Sequence, residues 1–322
     1  MMGKKIEYSQ IKKAPIGESF VTFCVVRSKE VKYKQNGQPY LVLELGDQSG
    51  RLKTRLWNDI DSNSAETPIG GIVKIQAVAE AVNGRKELKI QRLRAASAED
   101  KISADALLPQ TAQDVAQLRQ MFDAHRQSIT NTHLLDLLSA VFRDEAFAKA
   151  YFRSPGGKLW HHNYLSGMLE HVVKLLNFAD LMNIHYPEID IDLLKTAIIC
   201  HDLGKVREYS LNGYIDFSTE GRLLGNGAIG YGIIDGHIRD LPEFPAGLRQ
   251  QLLHLVLSHN GKQHGAPVEP MTLEAMVLQH LILLDAHTNA ILRIRENDVL
   301  PDQDWSKYIP LLERFIYAGK QA

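Results

Sequence analysis

The hydrophobic pattern of the chain changes near residue 95. Before that point, polar residues alternate with β-branched residues between Gly-containing turns, a pattern typical of half-buried strands. After it, long segments carry apolar residues at helical spacing. The charge changes at the same place, since residues 1–95 hold 17 Lys and Arg against 10 Asp and Glu, and residues 96–322 hold 20 against 28. We therefore predict a basic β domain over 1–95, a linker over 96–110 and an acidic all-α domain over 111–322.

Five strands are predicted in the first domain. SFVTFCVVRSKEVKYK and PYLVLELGD flank an Asn36-Gly37 turn, RLKTRLW forms a third strand, and GGIVKIQAVAEAV and RKELKIQRLR flank Asn83-Gly84. Asn-Gly readily adopts positive φ, so each pair is predicted to form a hairpin. Five strands with one longer connection after the third predict an OB-type Greek-key barrel.

The second domain is predicted to be a bundle of eight helices. Their approximate ranges are 111–127, 131–150, 164–183, 191–203, 221–239, 246–259, 271–294 and 305–318.

Composition excludes several classes of protein. The net charge of -1 over 322 residues excludes a uniformly basic nucleic-acid coat. Cys24 and Cys200 are the only cysteines, so a disulfide framework and a Cys-based zinc site are both excluded. We find neither an uninterrupted apolar run of membrane-spanning length nor a secretory signal, and we expect a cytoplasmic protein without a membrane partner.

The segment KTAIICHDLGK places His201 and Asp202 directly after a buried helical run. A divalent cation would offset the cost of burying the Asp202 carboxylate, and imidazole and carboxylate are both first-row metal ligands. The alternative is an Asp cap beside a solvent-facing His. Asp285 lies in a helix that is apolar all round, and His171 lies on the core side of another helix, where a hydrogen-bonded core His is the alternative reading.

The order His171, His201-Asp202, Asp285 resembles the H…HD…D signature of the HD phosphohydrolase superfamily, in which these residues bind metal on a helical bundle. The HDLGK motif adds Lys205, and the resemblance implies that Lys205 neutralises a substrate phosphate. The resemblance also implies that Asp202 bridges metals or orients the attacking water.

Nearly the whole chain resembles the YhaM-type 3′-to-5′ exoribonucleases, through an N-terminal barrel followed by HHNYLSGMLEH, HDLGK, EGRLLGNGAIG, LSHNG and LEAMVLQHLILLDA. His259 fits a ligand for a second metal. Asn226 stands where that family has His, and Asn260 where it usually has a second His. A neutral amide is a weaker donor than imidazole, so sites with one and with two metals both stay open.

The resemblance implies metal-assisted attack of water on a phosphodiester of single-stranded RNA or DNA, from the 3′ end. Mn²⁺, Mg²⁺, Fe²⁺ and Co²⁺ are the favoured ions, and Zn²⁺ is also compatible with these ligands. His161 and His162 precede the His171 helix, and we expect them to be exposed loop histidines. Their functional role would be contact with phosphate, at His162 above all, and the alternative is a surface role without function. Glu170 is expected to be a surface or capping residue and not a catalytic one.

The basic barrel is predicted to bind the nucleic acid. OB barrels stack bases on aromatic rings while cations follow the phosphates. The candidate residues are Tyr33, Tyr40, Lys53, Arg55 and Arg85. Trp57 is expected to pack in the core or at a strand edge.

Two alternatives to the exonuclease remain. One is an HD phosphohydrolase of nucleotides or cyclic nucleotides, in which the barrel regulates or oligomerises. The other is a nucleic-acid-binding protein with a decayed HD site, which Asn226 and Asn260 would explain. A homo-oligomer is compatible with either reading.

Overall fold

The structure is a computed structural model that describes residues 10–82, 85–297, 299 and 303–319. Within it, the first part of the chain is a closed barrel of five strands in the order β1-β2-β3-β5-β4. The predicted turn at Asn83-Gly84 lies outside the described residues. The strands are β1 (Ser19–Tyr33), β2 (Pro39–Asp47), β3 (Gly50–Leu56), β4 (Ile72–Val82) and β5 (Arg85–Ala95).

The barrel is closed by one parallel contact, at which Thr54 of β3 pairs with Leu88 of β5. The Thr54 hydroxyl donates a hydrogen bond to the Leu88 carbonyl at 2.6 Å, so the closure also satisfies a buried side chain. A helix, α1 (Ile60–Glu66), lies between β3 and β4. Five antiparallel and parallel strands in this order, with a helix after the third, form the OB topology that the sequence predicts.

Alternation along the strands fills the barrel and leaves polar residues outside. On β2, Leu41, Leu43 and Leu45 are fully buried, while the intervening side chains point away from the core. On β3, Thr54 and Leu56 are buried while Lys53 and Arg55 are exposed. The outer face of β2 and β3 is thereby available for a ligand.

The chain divides into two compact units, Met1–Gln110 with Ser210–Asp216, and Thr111–Tyr209 with Phe217–Ala322. The first unit therefore includes a segment from the second half of the chain, the tip of a hairpin formed by β6 (Tyr209–Leu211) and β7 (Ile215–Phe217). In the first unit, the Arg27 guanidinium lies 5.6 Å from the Tyr214 ring centroid. Tyr214 also packs against the apolar cluster of Phe23, Val25 and Leu107.

The second unit is a bundle of helices around one apolar core. Asp and Asn side chains begin several of its helices, for example Asp114, Asn131 and Asp144, each of which accepts hydrogen bonds from the backbone of the following turn. The helices are α2 (Val115–Gln127), α3 (Thr132–Val141), α4 (Glu145–Arg153), α5 (Gly167–His185), α6 (Ile191–Cys200), α7 (Lys205–Glu208), α8 (Thr219–Arg239), α9 (Ala246–Ser258) and α10 (Leu273–Asn297).

One helix in the described part of the chain, over Leu273–Glu296, is long and apolar enough to cross a membrane by length and composition. It lies in α10, and 44% of its apolar window is buried by the rest of the protein. The buried core helix of a soluble protein meets the same criterion, so this helix is weak support for a membrane span.

The fold class is confirmed, but three local predictions are wrong. The predicted helix over 131–150 is two helices, separated by residues 142–144, where Asp144 starts α4. The hairpin of β6 and β7 interrupts the domain predicted to be all-α. Residues 305–318 form no α-helix, because Pro310 removes a backbone donor and Glu313 has φ of 52°. That segment instead makes bridges between Trp305 and Tyr317 and between Ile309 and Arg314.

Candidate metal centre and nucleic-acid interface

Three helices bring four of the five predicted ligands of the second unit together. His201 is the residue that ends α6, and Asp202 lies in the turn between α6 and α7. His171 lies in the second turn of α5 and Asp285 in the middle of α10. All four side chains are buried, so these ionisable groups lie inside the core, as the apolar residues around them in the sequence predict.

The tautomer of His201 is fixed by its backbone. Its Nδ1–H donates a hydrogen bond to the Ile198 carbonyl at 2.7 Å, because a carbonyl can only accept. Nε2 therefore keeps its lone pair, and it lies 3.1 Å from the Asp202 Oδ2. His259 has the same arrangement, with Nδ1 2.6 Å from the Val256 carbonyl and Nε2 4.0 Å from the Asp202 Oδ1.

Asp285 orients two histidines. His171 Nδ1 lies 2.5 Å and His162 Nε2 lies 2.7 Å from the same Asp285 oxygen, Oδ2. Since an ionised carboxylate only accepts, His171 donates from Nδ1 and its Nε2 is left as the basic nitrogen. Carboxylates commonly hold metal-binding histidines in this way.

His162 is not the exposed loop residue that the sequence predicts. Its side chain is fully buried, its φ is 45°, and its Nδ1 lies 2.9 Å from the Tyr164 hydroxyl. The reason is Gly167, where a Cβ would lie 2.2 Å from the His162 carbonyl, so the chain folds the loop tightly against the start of α5. His161 is half-buried and its ring lies 5.3 Å from that of His171.

Glu170 is also not at the surface. It is buried, and it accepts hydrogen bonds from Thr111 at 2.5 Å, Tyr164 at 3.0 Å and Lys174 at 2.7 Å. Sequence reasoning missed Tyr164 and Glu170 as supports of His162. The helical position of Glu170, adjacent to His171 on an otherwise apolar helix, was a signal for burial.

Asn226 and Lys205 both contact Asp202. The Asn226 amide nitrogen donates to Asp202 Oδ1 at 2.8 Å, and the Lys205 ammonium lies 2.5 Å from Oδ2. Lys205 also donates to the Gly156 carbonyl. The close approach of Asn226 depends on Gly204, because a Cβ there would lie 2.1 Å from the Asn226 carbonyl oxygen.

The electrostatics favour neutral imidazole beside ionised carboxylate. Burial lowers the pKa of His171 to about 4, although the Asp285 hydrogen bond acts in the opposite direction. Burial, followed by the His201 charge, lowers the pKa of His259 to about 4. For Asp202, burial alone would raise the pKa, but the charges of His201 and Lys205 outweigh it and hold that pKa well below its ordinary value.

These residues fit a divalent metal ion. The ligand atoms of His171, His201 and Asp202 lie within 4.8 Å of one another, and so do those of His161, His162 and His171. In the described part of the chain, His171 Nε2 and His201 Nε2 are buried and make no hydrogen bond, and neither does Asn226 Oδ1. Buried polar atoms without partners are costly, and nitrogen and carboxylate donors this close together suit a first-row metal.

An aromatic and cationic surface covers the outer face of the barrel. The Tyr40 and Trp57 rings are stacked with centroids 4.7 Å apart, and the Lys34 ammonium lies 4.8 Å from the Trp57 ring. Trp57 is 49% exposed and Tyr33 is 70% exposed, so Trp57 is not a core residue, and its stacking on Tyr40 is the strand-edge packing that the sequence allowed for. Trp57 follows β3 on its outward side, which is why it meets Tyr40 of β2.

The cations predicted on this face differ in their partners. Lys53 is exposed, whereas Arg55 forms an ion pair with Glu87 of β5. The Arg85 side chain lies outside the described residues. A groove of about 530 Å³ runs beside β3, and it is lined by residues that include Arg55, Trp57, Asn63, Lys89 and Arg92.

Comparisons with known proteins agree with both units. The HD domain family matches residues 168–281. The chain is 30% identical over 306 residues to the 3′-5′ exoribonuclease YhaM of Bacillus subtilis, with 94% of this chain and 95% of the relative covered. It is 32% identical over 316 residues to that of Bacillus pumilus, with the same coverage. For YhaM of Listeria monocytogenes the values are 30% over 277 residues, covering 85% and 87%.

A solved structure also matches part of the chain. It is the second OB-fold domain of replication protein A from Methanococcus maripaludis, with 18% identity and a TM-score of 0.22, covering 28% of this chain and 94% of that domain.

Proposed function

We propose, since this chain belongs to the YhaM family of 3′-5′ exoribonucleases, that it is a metal-dependent hydrolase that removes nucleotides from the 3′ end of single-stranded RNA. The observation that carries the proposal is the pair of unpartnered, buried Nε2 atoms of His171 and His201 beside the Asp202 carboxylate. Such a set of donors can bind a metal ion that assists hydrolysis. Without a bound ion, buried polar atoms that lack hydrogen-bond partners would destabilise the fold.

His171, His201 and Asp202 would hold the metal. Asp285, which contacts His171, and His259, which lies near Asp202, are the two further candidate ligands. When bound, a divalent ion lowers the pKa of a coordinated water and neutralises charge on phosphoryl oxygens. Mn²⁺, Mg²⁺, Fe²⁺ and Co²⁺ are the ions we favour for these mixed donors. The imidazoles are ready to bind at neutral pH, because burial holds the pKa of His171 and of His259 at about 4.

The remaining polar residues would act on the phosphate and on the ligands. Lys205 brings an ammonium to the same side as the Asp202 Oδ2, where it would neutralise charge that develops on the scissile phosphate. Asp285 holds the His171 ring through Nδ1 and so aligns its basic nitrogen. His162 is tied to Asp285, Tyr164 and Asn289, which gives it a fixed position for a contact with phosphate or water.

The barrel would hold the strand. The Tyr40 and Trp57 rings, with exposed Tyr33, offer surfaces for base stacking, and Lys53, Arg55 and Arg85 would follow the backbone phosphates. These contacts carry no base preference, so single-stranded DNA is a second ligand. We place the protein in the cytoplasm and allow for a homo-oligomer.

The test is digestion of a 5′-labelled single-stranded RNA by the purified protein with Mn²⁺, with Mg²⁺ or with EDTA. We expect the label to appear in a ladder of products that shortens with time, and EDTA to abolish the ladder. Asp202→Asn removes a charge from the buried cluster. Losing a residue that only supports a metal ligand lowers activity by up to about 100-fold, so the loss of a ligand itself should lower the rate by at least that factor. Asp136→Asn is the matched control, since Asp136 is exposed on α3.

Two results would overturn the proposal. One is binding of the RNA without cleavage in every metal, which would leave a nucleic-acid-binding protein. The other is an equal rate for Asp202→Asn and Asp136→Asn. A label released at once as a mononucleotide would instead reverse the direction of digestion.

A further inference from the structure

The last described segment of the chain, residues 303–319, forms a short arm, here called the C-terminal arm. Backbone hydrogen bonds fold it back on itself, from Ser306 to the Ile316 carbonyl at 2.9 Å and from Ala318 to the Asp304 carbonyl at 2.7 Å. Its inner side is apolar, because Leu312 and Ile316 are buried against Ile294 of α10 and against Trp160.

The outer side of the arm exposes four aromatic rings. Trp305 is 55% exposed and its centroid lies 4.9 Å from that of Tyr317, which is 58% exposed. Tyr308 and Phe315 form a second pair at 5.5 Å and are about as exposed. Large exposed aromatic groups in one place indicate a binding surface.

The inner side of the arm packs against the loop that leads into the candidate metal centre. Trp160, which packs against the inner side of the arm, directly precedes His161 and His162 in the chain. The same loop is held to α10 by Arg293, which donates to the Leu159 carbonyl at 2.7 Å. The arm is therefore anchored on the loop that carries two histidines of the candidate metal centre.

Cations lie among the rings. Lys307 and Arg314 are exposed within the arm, and Arg295 of α10 donates to the Ala318 carbonyl at 3.1 Å while remaining exposed. Glu313 is exposed among the rings as well. Rings beside Lys and Arg are typical of surfaces that bind single-stranded nucleic acid by stacking. Aromatic residues and Arg are also enriched at protein interfaces, whereas Lys is depleted there, so Lys307 is the residue that favours nucleic acid.

We propose that the C-terminal arm is a second stacking surface for single-stranded RNA, carried by the helical unit that holds the metal centre. This inference rests on the proposed function only for the identity of the ligand. The rings of Trp305 and Phe315 would each take a base, and Lys307 would take a phosphate.

Binding of a fluorescently labelled RNA of about 16 nucleotides, measured by anisotropy in EDTA, tests the arm without requiring cleavage. We expect Trp305→Ala to weaken the Kd by about tenfold and Trp305→Tyr to retain nearly all of the affinity, since either ring stacks. Tyr186→Ala is the matched control because Tyr186 is similarly exposed, at 53%, at the end of α5. Lys307→Glu should also weaken binding, without removing a ring.

Cleavage then separates the arm from the chemistry. With Mn²⁺, Trp305→Ala should raise KM for the same RNA by a similar factor and leave kcat on bis(p-nitrophenyl) phosphate unchanged. An unchanged Kd for both Trp305→Ala and Lys307→Glu would overturn the proposal, and so would a change in the oligomeric state of Trp305→Ala with no change in Kd, which would assign the rings to a second copy. A wild-type protein that binds RNA but never cleaves it would overturn the proposed function alone.

Discussion

Asp202 accepts on both carboxylate oxygens, from a neutral amide on one side and from an ammonium on the other. The two partners differ in what they leave available. Lys205 brings a positive charge that can neutralise a phosphate. Asn226 donates a hydrogen bond to the Asp202 Oδ1, and the amide oxygen of Asn226 itself is buried without a hydrogen-bond partner. We therefore expect Asn226 to limit the number of metal ions that this cluster can bind.

We predict that Asn226→His raises the number of bound Mn²⁺ ions from one to two per chain. Imidazole is a stronger donor than an amide oxygen, and the new side chain would lie near His259 and the Asp202 Oδ1. Metal content after dialysis, measured by mass spectrometry, gives the number directly. Asn226→Ala serves as the control, and equal metal content in all three proteins would contradict the prediction.

At the scale of elements, the turn from α6 to α7 is pressed against α8 with no space for a methyl group. A Cβ on Gly204 would lie 2.1 Å from the Asn226 carbonyl and 2.8 Å from the Gly230 nitrogen, which are backbone atoms that cannot rotate away. Gly204 has ordinary helical dihedral angles, so its requirement is for space alone.

Gly204→Ala should therefore destabilise the helical unit by about 1–3 kcal/mol and reduce metal binding, because the helices must separate. Gly227→Ala is the control and lies on α8, the helix that Gly204 contacts, since a Cβ at Gly227 would have no atom within 4 Å. It should be neutral or stabilise by up to about 1 kcal/mol through helix propensity. Urea denaturation of both variants measures the difference, and equal midpoints would refute this account.

A second element-scale feature joins α8 to α9. Asp235 is buried, and it accepts from Arg249 at 2.8 Å and from Arg239 at 2.6 Å. Burial alone would raise the pKa of Asp235, but the hydrogen bond from Arg249 and the charges of both arginines lower it from its ordinary value of 3.8.

Because the folded pKa is lowered, the ion pairs stabilise the protein fully above pH 3.8 and this stabilisation is lost as pH falls through the folded pKa. We expect the difference in free energy of unfolding between wild type and Asp235→Asn to be constant near neutral pH and to shrink below about pH 4. Denaturation series at several pH values measure it. Asp136→Asn, on the exposed side of α3, should show no such dependence.

For the whole molecule, charge is divided between a basic first part and an acidic second part. This division favours initial capture of RNA on the barrel, because nonspecific binding is mainly neutralisation of phosphates. It also predicts strong dependence of binding on salt.

Lys53→Ala should reduce the slope of log Kd against log salt concentration by about 0.7, the value for one phosphate contact with a single strand. Arg55→Ala should change the slope less, because Glu87 already pairs with the Arg55 charge. Binding isotherms over a range of NaCl concentrations compare the two variants. A larger effect for Arg55 than for Lys53 would show that the strand displaces the ion pair.

The sequence was sufficient to predict the barrel and to select the buried His and Asp residues that the structure brings together, because both depend on local patterns. Strand alternation predicts which side of β2 is buried, and an apolar helix that carries Asp285 needs a partner for its charge. The burial of His162 could not be predicted, since it depends on a tight loop that Gly167 permits. The burial of Glu170 had a signal in its position beside His171. The exposure of Trp57 depends on its stacking with Tyr40, a contact between strands.

The C-terminal arm and the hairpin of β6 and β7 were missed for different reasons. Apolar residues at 305, 308, 312 and 316 imitate helical spacing, and only Pro310 argued against a helix. Asn212-Gly213 is a clear turn signal between two short β-like runs, but runs of three residues are too short for alternation to identify.

The hairpin tip, Ser210–Asp216, has a consequence for how the protein can be taken apart. It completes an apolar cluster of the barrel although its neighbours in the chain belong to the helical unit, so the chain enters the barrel unit twice. A single protease cut between residues 96 and 110 would leave the N-terminal fragment attached to the rest through Tyr214, and the nicked protein should elute as one species. Fragments cloned from either side of that cut would each carry an apolar surface that the intact chain covers.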